Sequence, residues 1–342
     1  MTRPSGRWLR RLGIAGVVCA AVLALGAPFL AANSTATQFP DRAYAPPMRV
    51  HVRANGQFHS PFVYAQVLED RVERRYREDT SRRIPLQWFS GGHVVSIPET
   101  DAPLLLLGAD SIGRDIYSRL LFGAQLSLGV TLIGALGALA VGALVGGLAG
   151  SAGGRLETWL MLAADFVLVL PGVYLVLVLR AMLPLELSTG AVFWLMAGLF
   201  AVAGWPHVAR GVRAIVAAER SRDYTEAARA AGAGPWRLLK HLLPATRGFL
   251  AVEIVLLVPA LLVAETTISY LGLGFPEPTA SWGTMLHEAE NVPIMREAPW
   301  MLAPAAALFV VVLAVQLAAG TRTNASALLA VSRRPAATSS RP

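Results

Sequence analysis

Long apolar runs are the main pattern along this chain. A helix that crosses a bilayer needs about 20 mostly apolar residues, and six segments come close to that requirement. They lie at roughly 12–32, 125–149, 158–183, 190–209, 248–271 and 299–319. The pattern therefore predicts an all-α polytopic membrane protein with about six transmembrane helices. The first segment follows several arginines and could instead be a cleaved secretory signal.

The longest polar stretch lies between the first two of these segments, at residues 33–107. Short apolar runs at 50–52, 62–64 and 94–97 are separated by Pro and Gly, which is typical of small strands. The charged segment from Val67 to Asp79 could form a helix. We expect 33–107 to fold as a small β-containing insert on the outer face. Its scattered histidines lack the spacing of a metal site, and it shows no catalytic constellation.

The second apolar segment carries a ladder of small residues four positions apart: Gly134, Ala138, Gly142, Gly146 and Gly150. Small residues at this interval let another helix approach closely. We predict that the ladder is a helix-packing face, and the alternative is that it lines a pore.

Composition supports the membrane assignment and excludes several other classes of protein. Apolar residues make up 54% of the chain and charged residues only 15%, against roughly 25% charged residues in soluble domains. The single cysteine, Cys19, excludes an internal disulfide framework. The single lysine, Lys240, lies in Leu-Leu-Lys-His, whereas a Walker motif needs Gly-Lys-Ser/Thr. We therefore predict no catalytic residues, no metal and no cofactor bound by this chain.

The distribution of arginines predicts the orientation of the chain. The loop between the fourth and fifth segments, 210–247, is rich in arginine, whereas the loop before the last segment carries mostly glutamate. Basic residues gather in cytoplasmic loops, so we expect both termini to be cytoplasmic. The same rule accounts for the net charge of +8 without a nucleic-acid partner.

Two acidic residues lie inside apolar segments, Asp165 in the third and Glu265 in the fifth. Charges in lipid are costly and usually mark a transport pathway or a helix interface. Both interpretations remain open for these two residues.

The loop at 210–247 contains a predicted helix–turn–helix. Ala, Glu and Arg favour a helix from Asp223 onward, and Gly232 breaks it. Pro235 can open a second helix, because proline is favoured at a first helical position. Glu226 could serve as the partner of Asp223 in a capping box. The alternative is that Glu226 contacts a partner protein.

Four motifs in this region resemble one family. Glu226-Ala227-Ala228, then Gly232 and a closing Leu-Pro, resembles the EAA loop of bacterial ABC-importer permeases. LGADSIGRDIYSR at 107–119, GWPHVARGVR at 204–213 and SYLGLGFPEPTASWG at 269–283 are similar to the dipeptide/oligopeptide/nickel permease family, in its C-type subunit.

The resemblance implies a cytoplasmic coupling helix that docks in a separate ATPase. The docking residues that it implies are Tyr224, Glu226, Ala227, Ala228, Arg229, Gly232, Ala233 and Gly234. Together with the apolar runs, it predicts four parts of the chain: the cytoplasmic N-terminus with the first helix at 1–32, the extracytoplasmic insert at 33–107, a five-helix permease core at 108–320 with the coupling loop at 210–247, and a cytoplasmic tail at 321–342.

The resemblance further implies the partners and the location of the chain. They are a B-type permease subunit, two ABC ATPase subunits that bind ATP-Mg, an extracytoplasmic solute-binding protein and the lipid of a bacterial inner membrane. The cargo would be peptides or similar small solutes. Two other classes compete: a secondary, ion-coupled transporter, which should show inverted repeats, and a membrane-anchored enzyme that uses the 33–107 insert.

Overall fold

The computed structural model describes residues 5–54, 57–70, 74–97, 103–170, 187–232, 235–290 and 296–319. The helices in these ranges are α1 (Ser5–Leu25), α2 (Ala27–Leu30), α3 (Ile116–Ala152), α4 (Gly154–Val169), α5 (Thr189–Arg220), α6 (Asp223–Ala230), α7 (Pro235–Leu242), α8 (Arg247–Tyr270), α9 (Trp282–Glu288) and α10 (Ala303–Ala319). The strands are β1 (His51–Ala54), β2 (Gln57–Asp70), β3 (Arg75–Pro85), β4 (Gln87–Ser90) and β5 (His93–Ser96).

Five helical stretches among the described residues are long and apolar enough to cross a membrane, by length and composition. They are Trp8–Leu25, Ile116–Ala152, Thr189–Arg220, Leu239–Tyr270 and Pro299–Ala319. With the strands between α2 and α3, they confirm the predicted fold class, a helical polytopic protein with a small β insert. The other predicted segment, 158–183, begins in α4, and its part from residue 171 onward lies outside the described residues.

The strands between α2 and α3 form two small antiparallel units. β1, β2 and β3 make a three-stranded sheet in that order, and β4 pairs with β5. Val63 in β2 and Ile84 in β3 are register partners, and both are buried. They pack in one cluster with Leu104 and Leu105 of the segment that leads to α3. The insert is therefore packed on the chain that enters the helical core.

The expectation of a helix from Val67 to Asp79 is wrong. The described part of this segment belongs to the β2–β3 hairpin, where Val67 pairs with Arg77 and Ala65 pairs with Asp79. A helix would leave the backbone of the preceding strand without its neighbour. Cross-strand pairing and burial of Val63 and Ile84 outweigh local helix propensity, as tertiary context commonly does.

The ladder of small residues on α3 packs against α5, which confirms the predicted helix-packing face. A Cβ added at Gly134 would lie 2.6 Å from Cβ of Phe200. One added at Gly150 would lie 2.8 Å from the carbonyl oxygen of Arg213, so the backbones of the two helices nearly touch there. At Gly146 the added atom would meet the main chain of Ala209. Glycine permits this approach because it has no side chain.

Backbone hydrogen bonds join the start of the insert to the segment before α3. The amide of Met48 donates to the carbonyl of Leu105 at 2.9 Å, and the amide of Ala109 donates to the carbonyl of Ala45 at 2.9 Å. Asn33 adds a side-chain contact, because its Nδ2 donates to the carbonyl of Leu104 at 2.8 Å. These bonds place the 107–119 motif between the insert and the membrane helices.

Candidate functional site

The hairpin of α6 and α7 lies between two candidate membrane spans, α5 and α8. Glu219, at the end of α5, contacts the residues at the start of this hairpin. The carboxylate of Glu219 accepts from Tyr224 Oη at 2.7 Å and pairs with Arg222 Nη2 at 3.0 Å. Its carbonyl accepts from Thr225 Oγ1 at 2.9 Å. The first turn of α6 is thereby tied to the end of a long membrane helix.

The start of α6 argues against a capping role for Glu226. The carbonyl of Arg222 accepts from the amides of Thr225 and Glu226 at 2.9 and 3.2 Å. Arg222 therefore takes the N-cap position, and Asp223 is the first helical residue. In a capping box the reciprocal side chain comes three residues after the cap, which is Thr225 and not Glu226.

The predicted docking residues whose side chains the structure describes are exposed on the surface of this hairpin. Tyr224 is 50% exposed, and Glu226 and Ala227 are exposed as well. Gly232 has a φ of 80°, and a Cβ added there would meet nothing within 4 Å. Ala228 and Arg229 lie in the same helix, and Ala233 and Gly234 lie outside the described residues.

The second helix of the hairpin, α7, anchors it to the membrane helices. Leu239 and Leu242 are each 1% exposed. A Cβ added at Gly147 of α3 would lie 2.5 Å from Cδ1 of Leu239, so α7 packs directly on α3. On its outer side, Lys240 Nζ lies 5.7 Å from the centre of the exposed Trp236 ring. α7 therefore has a buried face on α3 and an exposed face on its other side.

Asp165 lies at the contact between α4 and α5. Its carboxylate forms an ion pair with Arg210 of α5, and the Asp165 side chain is 53% exposed. A second pair joins the same two helices, because Arg213 Nε donates to Glu157 Oε1 at 2.5 Å. Two acids of α4 thus face two arginines of α5.

Glu265 lies inside the chain, where α8 meets α3 and the segment before α9. Its side chain is fully buried, and its Oε1 accepts from Ser269 Oγ at 2.9 Å. The hydroxyls of Ser127 and Ser281 also face the carboxyl group. The surroundings of Glu265 are therefore hydroxyl-rich and enclosed by this chain.

A cluster of five charged residues joins the 107–119 motif to the chain after α8. We call it the ion cluster, and it consists of Asp110, Arg114, Arg119, Glu277 and Glu288. Arg114 contacts all three acids: its Nε lies 2.6 Å from Asp110 Oδ2, its Nη1 2.6 Å from Glu277 Oε2 and its Nη2 2.8 Å from Glu288 Oε1. Arg119 Nη2 donates to the same Glu288 oxygen at 2.6 Å.

The ion cluster is buried enough for its protonation to matter. Arg119 is fully buried, and Asp110 and Arg114 are 2% and 3% exposed. Burial raises the pKa of Glu288 to about 8 despite the nearby Arg119. Burial also acts to raise the pKa of Glu277, but hydrogen bonds from Glu288 and Arg114 outweigh it and the pKa ends below its ordinary value. The raised pKa of Glu288 favours its protonated form, which lowers the negative charge that lies against Arg114 and Arg119.

The sequence of most of the helical core matches a known family. Residues 126–320 match the family described as the binding-protein-dependent transport system inner membrane component. The chain belongs to this family. It is therefore a multi-pass inner-membrane permease component and not an enzyme, as the sequence predicts.

Individual members of the family are similar to this chain over somewhat more than half of its length. The oligopeptide transport system permease protein OppC of Bacillus subtilis is 35% identical over 57% of this chain and 62% of its own length. The dipeptide transport system permease protein DppC of the same species is 35% identical over 56% of this chain and 58% of its own length. OppC of Lactococcus lactis subsp. cremoris is 32% identical over 61% of this chain and 70% of its own length.

The matched region of this inner membrane component contains the α6–α7 hairpin, Asp165 and Glu265. The structure does not bring these two acids together. Asp165 pairs with Arg210 of α5, whereas Glu265 is a buried residue of α8 on the side that packs on α3. Sequence reasoning missed the ion cluster as a unit. The sequence did contain a signal for it: Arg114 lies immediately before an apolar run and Arg119 lies within it. An unpaired charge is costly there, so both arginines needed acidic partners.

Proposed function

We propose that this chain is the C-type permease subunit of an ATP-driven peptide importer. It forms half of a translocation pore with a B-type permease subunit and takes peptides or similar small solutes from an extracytoplasmic binding protein. Two separate ABC ATPase subunits bind ATP-Mg and supply the energy. Support for the peptide cargo comes from the relatives, which are named as oligopeptide and dipeptide permeases.

The exposed α6 carries this proposal. It presents Tyr224, Glu226 and Ala227 beyond the end of a membrane helix, while α7 is buried against α3 through Leu239. Small residues on α6 leave room for a partner's cleft to close over the helix, and Glu226 supplies a charge for that partner. Closure of the two ATPases around ATP would then move α6, and α7 would pass the movement to α3. We assign Ala228, Arg229, Gly232, Ala233 and Gly234 to the same docking surface.

We assign Asp165 and Glu265 to helix interfaces within the chain. Asp165 holds α4 against α5 through Arg210, and Glu265 of α8 is buried facing Ser127 of α3. A pathway residue would need a face open to the pore, and Glu265 is fully buried in this chain.

The decisive experiment is reconstitution of the complete transporter in proteoliposomes. We expect uptake of labelled trialanine to require ATP and the binding protein, and to continue when ionophores collapse the ion gradients. The purified chain alone should hydrolyse no ATP. Uptake driven by an ion gradient without ATP would favour the secondary transporter instead. ATPase activity of the isolated chain that survives Lys240→Ala would contradict the model with separate ATPases.

The proposed orientation, with both termini and α6 in the cytoplasm, is tested by cysteine labelling. Cys19 is first replaced by serine, and Ser60→Cys or Ser221→Cys is then added; both positions are exposed. We expect an impermeant maleimide to label position 60 in intact spheroplasts and position 221 only after lysis. Labelling of position 221 in intact spheroplasts, and of position 60 only after lysis, would show that the topology is the reverse of the proposed one.

A further inference from the structure

A cleft of about 610 Å³ lies between the β insert and the loop before α10. Strands β2 and β3, the segment that precedes β1, and Trp300 line it. Pockets that hold small molecules usually have volumes of about 300–1,000 Å³, so the cleft has room for a ligand of a few residues. In the proposed orientation it opens on the outer face, away from the ATPase-docking hairpin.

Two aromatic side chains form fixed walls of this cleft. Tyr76 Oη donates to the carbonyl of Ala43 at 2.8 Å. Trp300 Nε1 donates to the carbonyl of Ala109 at 3.2 Å. Their polar atoms are thus engaged by the chain itself, and ring surface remains for a ligand. Aromatic walls with a few placed polar groups are typical of small-molecule sites.

Gln66 supplies a polar group that lacks a partner. It lines the cleft and is only 3% exposed. Its Nε2 donates to the carbonyl of Pro46 at 2.9 Å, which sets the orientation of the amide. Its Oε1 is buried and has no hydrogen-bond partner among the described residues. A buried acceptor left without a donor is unfavourable, and a ligand N–H would supply that donor.

Charges of both signs lie at the same cleft. Arg49 and Arg77 are exposed on its lining, and Arg77 Nε lies 3.8 Å from Glu69 Oε1. Glu78 lies beside them, with His51 Nε2 3.6 Å from its Oε2. Guanidinium groups suit a carboxylate, which they bind in a planar fork. A carboxylate such as Glu78 suits an ammonium group.

We propose that this cleft binds a short zwitterionic peptide at the outer face of the permease. The ligand carboxylate lies at Arg49 and Arg77, its amino group at Glu78, and one of its amide N–H groups donates to Gln66 Oε1. The choice of a peptide as the ligand rests on the proposed function. The pattern of charges and the unpaired Gln66 Oε1 are observations on the cleft and do not depend on that function. The cleft would hold peptide near the pore independently of the binding protein.

The test uses the assembled permease and ATPase complex in nanodiscs, without the binding protein. Binding of labelled trialanine is measured by equilibrium dialysis beside its C-terminal amide and its N-acetyl form. We expect trialanine to bind and each blocked form to bind at least about tenfold more weakly. Arg49→Gln and Glu78→Gln should each weaken trialanine binding to a similar degree, as expected for loss of a charge-assisted contact.

Arg53→Gln is the matched control, because Arg53 is an exposed arginine of the same insert that does not line the cleft. It should leave trialanine binding unchanged. Gln66→Met tests the lone acceptor, and its thermal unfolding is measured first. Because Arg49 is exposed, Arg49→Gln keeps the proposal testable even if the Gln66 variant fails to fold.

The outcomes separate this inference from the proposed function. If the complete transporter takes up trialanine but Arg49→Gln and Glu78→Gln bind it as wild type does, the cleft is not a peptide site. If both variants instead weaken only the affinity for the solute-binding protein, the cleft is a protein-docking surface and the proposal is wrong. If the complex transports no peptide but the cleft binds trialanine with the expected variant effects, the inference stands and the peptide-importer assignment fails.

Discussion

Arg119→Met should lower the free energy of unfolding by about 3–5 kcal/mol, the range seen when one partner of a buried ion pair is removed. Arg119 is fully buried, and its guanidinium group lies 2.6 Å from Glu288 and 3.6 Å from Asp110. Methionine fills much of the space but leaves the three acids of the ion cluster with one arginine, Arg114. Thermal unfolding in detergent should show a clearly lower midpoint and a lower yield of folded protein.

Two variants control for this result. Arg155→Met removes an exposed arginine at the start of α4 and should leave the unfolding midpoint near that of wild type. Glu288→Gln should cost much less than Arg119→Met, because glutamine keeps an acceptor for the arginines and a donor for Glu277, as the protonated acid does. Equal losses for Arg119→Met and Arg155→Met would show that the ion cluster contributes little to stability.

The raised pKa of Glu288 also predicts the direction of the pH dependence. The pKa of Glu288 is about 8 in the folded protein, whereas the ordinary value is 4.5. The stability that protonated Glu288 contributes is therefore fully present below about pH 4.5 and is lost as the pH rises through about 8. The unfolding midpoint of the wild type should therefore fall on the alkaline side, and the fall should be smaller in Glu288→Gln.

Glu226→Gln should assemble normally but couple ATP hydrolysis to uptake poorly. If the exposed carboxylate of Glu226 contacts the ATPase, its neutral isostere loses a charge-assisted contact of about 1.5–3 kcal/mol. That loss corresponds to a roughly 10- to 150-fold weaker engagement at 1.4 kcal/mol per decade. Uptake of trialanine and ATPase rates are measured in the same proteoliposomes, and the amount of assembled complex is determined by gel filtration.

Matched variants separate docking from local helix stability. Glu290→Gln removes an exposed acid after α9, far along the chain from α6, and should leave coupling intact. Gly232→Leu should be worse than Glu226→Gln, since φ is 80° at Gly232 and a leucine would strain the turn and obstruct the partner. Wild-type uptake and ATPase rates in Glu226→Gln would show that its charge does not dock the ATPase.

The features that the sequence predicts correctly are those set by neighbouring residues. Apolar runs of about 20 residues identify helices that can cross a bilayer, because each backbone group there must be bonded within its own helix. The spacing from Gly134 to Gly150 places small residues on one face of α3, and α5 occupies that face. The break at Gly232 is local as well, since glycine readily adopts the positive φ found there.

Other features depend on residues that meet only after folding. The strand pairing that replaces the expected helix at 67–79 joins two segments through a buried core, so local propensity could not predict it. Arg114 reaches Glu277 across 163 positions and Glu288 across 174 positions. The cleft likewise combines Gln66 with Trp300. Sequence periodicity shows which face of a single helix or strand is apolar. Tertiary packing decides which distant charges form ion pairs and what cleft forms between the insert and the loop before α10.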